Sequence, residues 1–82
     1  MERSNPDLIA AFAKTLRRHR KALGLSQEEL AFRAGLSVSF LSYLETRRRQ
    51  PSLTVLDALC RELGISLATL AEEIDREQQN RD

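Results

Sequence analysis

Residues 27 to 46 carry a spacing that two short helices crossing at a tight turn satisfy and a strand does not. Counting Gln27 as the first position, the close crossing of the second helix needs a small residue at the fifth, which is Ala31. The ninth must tolerate a positive φ, and it is Gly35. Apolar side chains are needed at the fourth, tenth, fifteenth and eighteenth positions, where Leu30, Leu36, Leu41 and Leu44 stand. These requirements are independent and are met together, so the segment reads as a helix-turn-helix.

The rest of the chain follows the same helical period, and no stretch alternates apolar and polar residues over the length of a strand. Five helices and no sheet are expected. The first runs from about Pro6 to Leu23, capped by Asn5, with Leu8, Phe12, Leu16 and Leu23 along one face and Gly24 at its end. Ser26 with Glu29 three residues later forms a capping box that opens the second helix, and Ala34 joins Leu30 and Ala31 on its inner face. Ser37 caps the third helix, which turns Phe40, Leu41 and Leu44 inward and Val38, Ser39, Ser42, Tyr43 and Thr46 outward. Ser52 and Gly64 bracket a fourth helix carrying Leu53, Leu56, Leu59 and Leu63. Ser66 opens a fifth with Leu67, Leu70, Ala71 and Ile74 as its stripe, and the polar residues 75–82 are expected to fray. A chain of 82 residues has room for one modest core, so residues 1–82 are read as a single domain.

Charge divides the chain. Residues 1–50 hold ten Lys and Arg against five acids, whereas residues 51–82 hold three Arg against seven. A basic half can face a polyanion and an acidic half would be repelled by it, although two solvated faces would look the same from composition alone. Cys60 is the only cysteine, which excludes an internal disulfide and a cysteine-based zinc site and suits the cytoplasm. The opening MERSNPDLIAAFAK lacks the pattern of a signal peptide, and no apolar run is long enough for a bilayer. Neither membrane association nor a metal is expected. His19 is read as an exposed or half-buried helix residue, Cys60 as a core residue, and Glu72, Glu73 and Asp75 as solvated acids. No nucleophile with its base, no ligand set and no phosphate-cradling glycine loop is present, so an enzyme is not expected and no cofactor is implied.

Through LSQEELAFRAGLS, FLSYLE and the following PSL and LGIS, the sequence resembles the Cro/repressor, lambda-repressor-like helix-turn-helix family over roughly residues 12 to 70. That resemblance implies a compact five-helix domain and a transcription regulator that binds double-stranded DNA as a dimer. It implies that Val38, Ser39, Ser42 and Tyr43 face base edges in the major groove. Val38 has only methyl groups to offer a thymine, and Ser39 discriminates weakly. Tyr43 meets a phosphate or a thymine methyl, or packs on the rim of its own domain. Gln27 and Thr46, with Arg47, Arg48 and Arg49 in the bend after the third helix, are assigned to the phosphate backbone, the Gln27 amide being suited to a phosphate or to a neighbouring side chain that it buttresses, and Arg33, Arg17 and Lys14 are weaker candidates. Arg20 and Glu45 fall where the family ties the first helix to the third by an internal ion pair. Arg47 departs from the family's usual glycine, so it is either held at positive φ or ends the helix differently.

No Arg or Gln occupies the outward positions of the third helix, which leaves a large share of specificity to DNA shape. Dimerisation is expected through Leu67, Leu70, Ala71 and Ile74, unless that stripe only closes the monomer core. No small-molecule ligand is expected, and control would act through protein concentration. That fits a phage-type repressor or a restriction-modification controller protein. The alternatives are an antitoxin, or an adaptor that keeps the fold without DNA.

Overall fold

The computed structural model describes residues 5–80. They form α1 (Pro6–Ala22), α2 (Gln27–Ala34), α3 (Val38–Glu45), α4 (Leu53–Leu63) and α5 (Leu67–Gln79), with no strand among the described residues. The helix boundaries follow the capping chemistry. Asn5 Oδ1 accepts from the Leu8 amide, and Ser37, Ser52 and Ser66 each accept from the amide three residues on. At α2 the capping box is complete: the Glu29 amide donates to Ser26 Oγ at 3.0 Å, and the Ser26 amide donates to Glu29 Oε1 at 2.9 Å. That second bond holds the Glu29 carboxyl below its ordinary pKa. Gly35 closes α2 at φ 74°, as the spacing of the motif requires.

One apolar core joins all five helices. Phe12 and Leu16 of α1, Leu30 and Ala31 of α2, Leu41 and Leu44 of α3, Leu59, Cys60 and Leu63 of α4 and Leu70 and Ile74 of α5 are all buried in it. α1 lies chiefly along α5, and α2 bridges α3 and α4. The pairing of α2 with α3 is the helix-turn-helix itself, seated on the rest of the domain rather than standing alone.

Three expectations are corrected. Leu8 and Leu23 do not share the buried face of α1: they lie in its first turn and at its C-cap, past the edges of the core, and both are exposed. Ala11, Ala13, Thr15 and Arg20 are buried instead. On α5, Leu70 and Ile74 are buried in the core of their own chain, and only Leu67 and Ala71 of that stripe remain exposed. The residues from Asp75 do not fray as expected, since the helix runs on to Gln79, and residues 81 and 82 lie outside the described residues. What continues the helix past its last core residue is charge, supplied by α1.

Candidate nucleic-acid interface

The third helix presents a polar flank. Val38 and Ser39 are exposed in its first turn, Ser42 is half-buried one turn on, and Tyr43 is 37% exposed beside it. Thr46 caps the helix, its hydroxyl donating to the Ser42 carbonyl at 2.8 Å. The outward set read from the sequence therefore lies on one side of α3, while Leu41 and Leu44 anchor the other side.

Arg47 follows at φ 67°, the only positive φ away from glycine among the described residues. This left-handed residue turns the chain back so that the amides of Arg48 and Arg49 both donate to the Tyr43 carbonyl, at 2.8 and 3.3 Å. The guanidinium carbons of Arg48 and Arg49 each lie 5.9 Å from the centroid of the Tyr43 ring. Tyr43 is thus joined to the arginine bend, and the expected division between base-facing and phosphate-facing residues is less sharp than the sequence suggests. All three arginines of the bend are exposed.

A left-handed arginine is strained by about 1–2 kcal/mol, whereas glycine forfeits about 0.5–1 kcal/mol through its freer unfolded chain. Arg47→Gly is expected to stabilise the fold by roughly 0.5–1 kcal/mol, raising the melting temperature by several degrees while weakening any association with DNA. Parallel thermal melts and binding curves check this, and a lower melting temperature would contradict it.

Behind this surface lies a buried polar network. Arg20 reaches from α1 to α3, its Nε donating to Glu45 Oε2 at 2.7 Å and its Nη2 to Oε1 at 2.9 Å, while Nη1 donates to the Leu25 carbonyl at 2.8 Å. The Glu45 carboxylate raises the Arg20 pKa further above its ordinary value through this bidentate bond. Each nitrogen of the guanidinium is engaged inside the domain, so Arg20 serves the fold rather than an outside anion. Gln27 adds a third partner, its Nε2 donating to Glu45 Oε1 at 3.0 Å. Of the two partners that suit this amide, a phosphate and a neighbouring side chain, the structure shows the second, and the bond ties the start of α2 to the end of α3. Arg33 is exposed in the last turn of α2.

Sequence reading also missed a charged cluster between α1 and α5. Nε2 of His19 lies 2.6 Å from Glu73 Oε1, which Arg18 approaches at 3.0 Å. Lys14 and Arg18 reach Glu77 at 2.8 and 3.4 Å. Glu73 is therefore not the solvated acid expected of it. The signal was present, because Lys14 and Arg18 put two cations on one face of α1 and Glu73 and Glu77 put two anions on one face of α5, like-charged i,i+4 pairs that each call for an opposite partner.

The His19 contact first, and Arg18 more weakly, hold the Glu73 carboxyl below its ordinary value of 4.5; Lys14 and then Arg18 lower Glu77 likewise. Their contribution to stability is accordingly present above pH 4.5 and is lost as the pH falls through the depressed folded values. A Glu73→Gln/Glu77→Gln variant is expected to melt below the unsubstituted chain at neutral pH. That gap should narrow as the pH falls below 4.5 and close once both carboxyls are protonated in the folded chain as well. A gap independent of pH would rule out the ionic origin.

The described residues contain no helix long and apolar enough to cross a membrane. Residues 16–70 match the family model described as Helix-turn-helix. The chain is 36% identical over 69 residues to the uncharacterized HTH-type transcriptional regulator y4dJ of Sinorhizobium fredii, an alignment covering 84% of this chain and 90% of the relative. It superposes on the clp gene regulator ClgR from Corynebacterium glutamicum with a TM-score of 0.83 at 32% identity, covering 88% of this chain and 77% of that one. The restriction-modification controller protein C.AhdI from Aeromonas hydrophila matches with a TM-score of 0.73 at 39% identity, covering 76% of this chain and 94% of that one. With five helices, a glycine-closed turn and a polar third helix already in place, these matches mean that the chain belongs to the helix-turn-helix family and is a transcriptional regulator of the lambda-repressor-like fold.

Proposed function

We propose that this regulator binds a two-fold symmetric DNA operator as a homodimer, one half-site per subunit, in the manner of a small repressor or a restriction-modification controller protein. The observation that carries this reading is the continuity of the α3 flank with the exposed arginine bend: Val38, Ser39, Ser42 and Tyr43 run directly into Thr46, Arg47, Arg48 and Arg49. The first four read base edges and the bend grips the strands, with Arg33 at the margin. Gln27 serves chiefly by holding Glu45, with its second amide hydrogen left for a phosphate. Neutral side chains at the base-facing positions give weak direct readout, so operator shape carries much of the specificity. The likeness to C.AhdI over nearly all of that chain supports the controller-type reading.

The subunits meet through Leu67 and Ala71 of α5, in the acidic half of the chain, beside a groove whose lining includes Arg49. Leu67 is 41% exposed, and Ala71 opens onto an apolar groove of about 330 Å³ floored by Phe12, Leu56 and Ile74. Leu70 and Ile74 support this face from beneath. The whole of residues 1–82 acts as one DNA-binding domain, and occupancy of the operator is set by protein concentration through dimerisation. Footprinting on DNA around the chain's own gene, with sedimentation of the protein alone, tests the reading. Two related half-sites with centres about 34 Å apart are expected, with affinity falling steeply as salt rises. Failure to protect any duplex at low salt would refute the reading, and a salt-insensitive association with a protein would favour the adaptor.

A further inference from the structure

A second basic surface adjoins the bend, shares Thr46 and Arg47 with it and extends it onto α1. Between α1 and the end of α3 runs a groove of about 430 Å³ lined by Lys14, Arg17 and Arg47. Its α1 wall is Ala10 and Ala13, so no bulky side chain fills it. The acid on its wall, Glu45, has Oε1 accepting from Arg20 and Gln27 and Oε2 accepting from Arg20. The carboxylate is therefore already compensated and does not oppose an anion. Among the described residues neither Arg17 nor Arg47 is held in an ion pair, and both are exposed. Arg47 keeps its left-handed conformation where glycine would relieve strain, as expected of a side chain held for a contact rather than for the fold.

Lys14 is shared. It lines this groove and also pairs with Glu77 of α5 at 2.8 Å, with its side chain still largely exposed. A long ammonium side chain can swing between two such partners, since exposed ion pairs are weak.

We propose that this groove seats a backbone phosphate of DNA, held by Arg17, Arg47 and Lys14, and that Glu77 competes with that phosphate for Lys14. The proposal rests on the operator-binding reading and extends it, because α1 then contributes to the footprint. It gives α5 a negative influence on DNA affinity from outside the helix-turn-helix. By linkage, phosphate capture weakens the hold of Glu77 on α1 to the same extent. The phosphate chemistry would equally suit a free phosphorylated small molecule, and the test separates the two.

The full-length protein and its Arg17→Gln, Arg17→Lys, Glu77→Gln and Glu72→Gln variants would be titrated with a duplex at several salt concentrations. Arg17→Gln should flatten the salt dependence, shrinking the loss of affinity between about 50 and about 200 mM salt by roughly 3.5-fold per subunit, and Arg17→Lys should restore most of it. Glu77→Gln should tighten binding by about threefold per subunit, the scale of an exposed ion pair. Glu72→Gln removes the same charge from an exposed position on α5 outside the Lys14 pair, and should do less. If the unsubstituted protein binds duplex while Arg17→Gln leaves slope and affinity unchanged and Glu77→Gln matches Glu72→Gln, the phosphate seat is wrong. If inorganic pyrophosphate shifts the NMR signals of Arg17 and Lys14 while duplex binding ignores Arg17, the groove takes a free phosphate compound and the DNA assignment falls. If no duplex binds the unsubstituted protein at all, the operator reading itself has failed.

Discussion

Glu45→Ala is expected to cost about 3–5 kcal/mol of stability, because it leaves the Arg20 guanidinium charged inside the domain without its carboxylate. Arg20 and Glu45 are only 9% and 3% exposed, so water gives the stranded charge little relief. In a domain of this size the melting temperature should fall by at least about 12 °C. Gln27 loses its acceptor in the same step, and the ties from α1 and α2 to α3 go together. Replacing both charges, as in Arg20→Met/Glu45→Leu, should recover most of the loss, since neither side chain then needs a partner and the volume is kept. Thermal melts followed by circular dichroism distinguish the cases. A single substitution costing less than about 1 kcal/mol would mean that the pair is more hydrated than its geometry implies.

The second large effect concerns association with DNA. On the proposed reading, Arg48→Gln/Arg49→Gln would remove two phosphate contacts from each subunit, four from a dimer, and should flatten the slope of log affinity against log salt by about 3.6. Because the counterion contribution vanishes near 1 M salt, that change amounts to a loss on the order of a thousandfold at physiological ionic strength, on every sequence alike. Ser39→Ala should do the reverse, shifting preference between operators with the slope unchanged. Tyr43 stands between the two classes, since both arginines lie near its ring. Substituting it should alter slope and preference together. Titrations on an operator and a scrambled duplex decide the matter; a double-arginine loss confined to one sequence would reverse the assignment of roles.

The fold was legible in the sequence because its determinants are local. Ser26, Ser37, Ser52 and Ser66 announce helix starts through their own hydroxyls, and Gly35 and Gly64 announce ends through their backbone freedom. The outward flank of α3 was legible for the same reason, as a matter of helical period. Contacts between distant helices were harder to see. A stripe such as Leu67, Leu70, Ala71 and Ile74 has the same period whether it faces its own core or another molecule, and only packing reveals that Leu70 and Ile74 face inward. The amide of Gln27 suits a phosphate or a neighbouring side chain equally well from sequence, and only the folded chain shows that the carboxylate of Glu45 is within its reach. Acids near the end of a helix read as solvated until Lys14, Arg18 and His19 are found opposite them. Phe32, 86% exposed on α2, has no role in the core and none in the interface described above.

The triple tie among Arg20, Glu45 and Gln27 has a mechanical consequence. With its C-terminal end clamped to two other helices, α3 has little freedom to tilt or slide by itself, and the whole body must move with it. If α3 reads DNA as proposed, an imperfect target leaves accommodation to the double helix, which must twist, kink or narrow to meet it. Discrimination then becomes a matter of how stiff each base step is, including steps that no side chain touches.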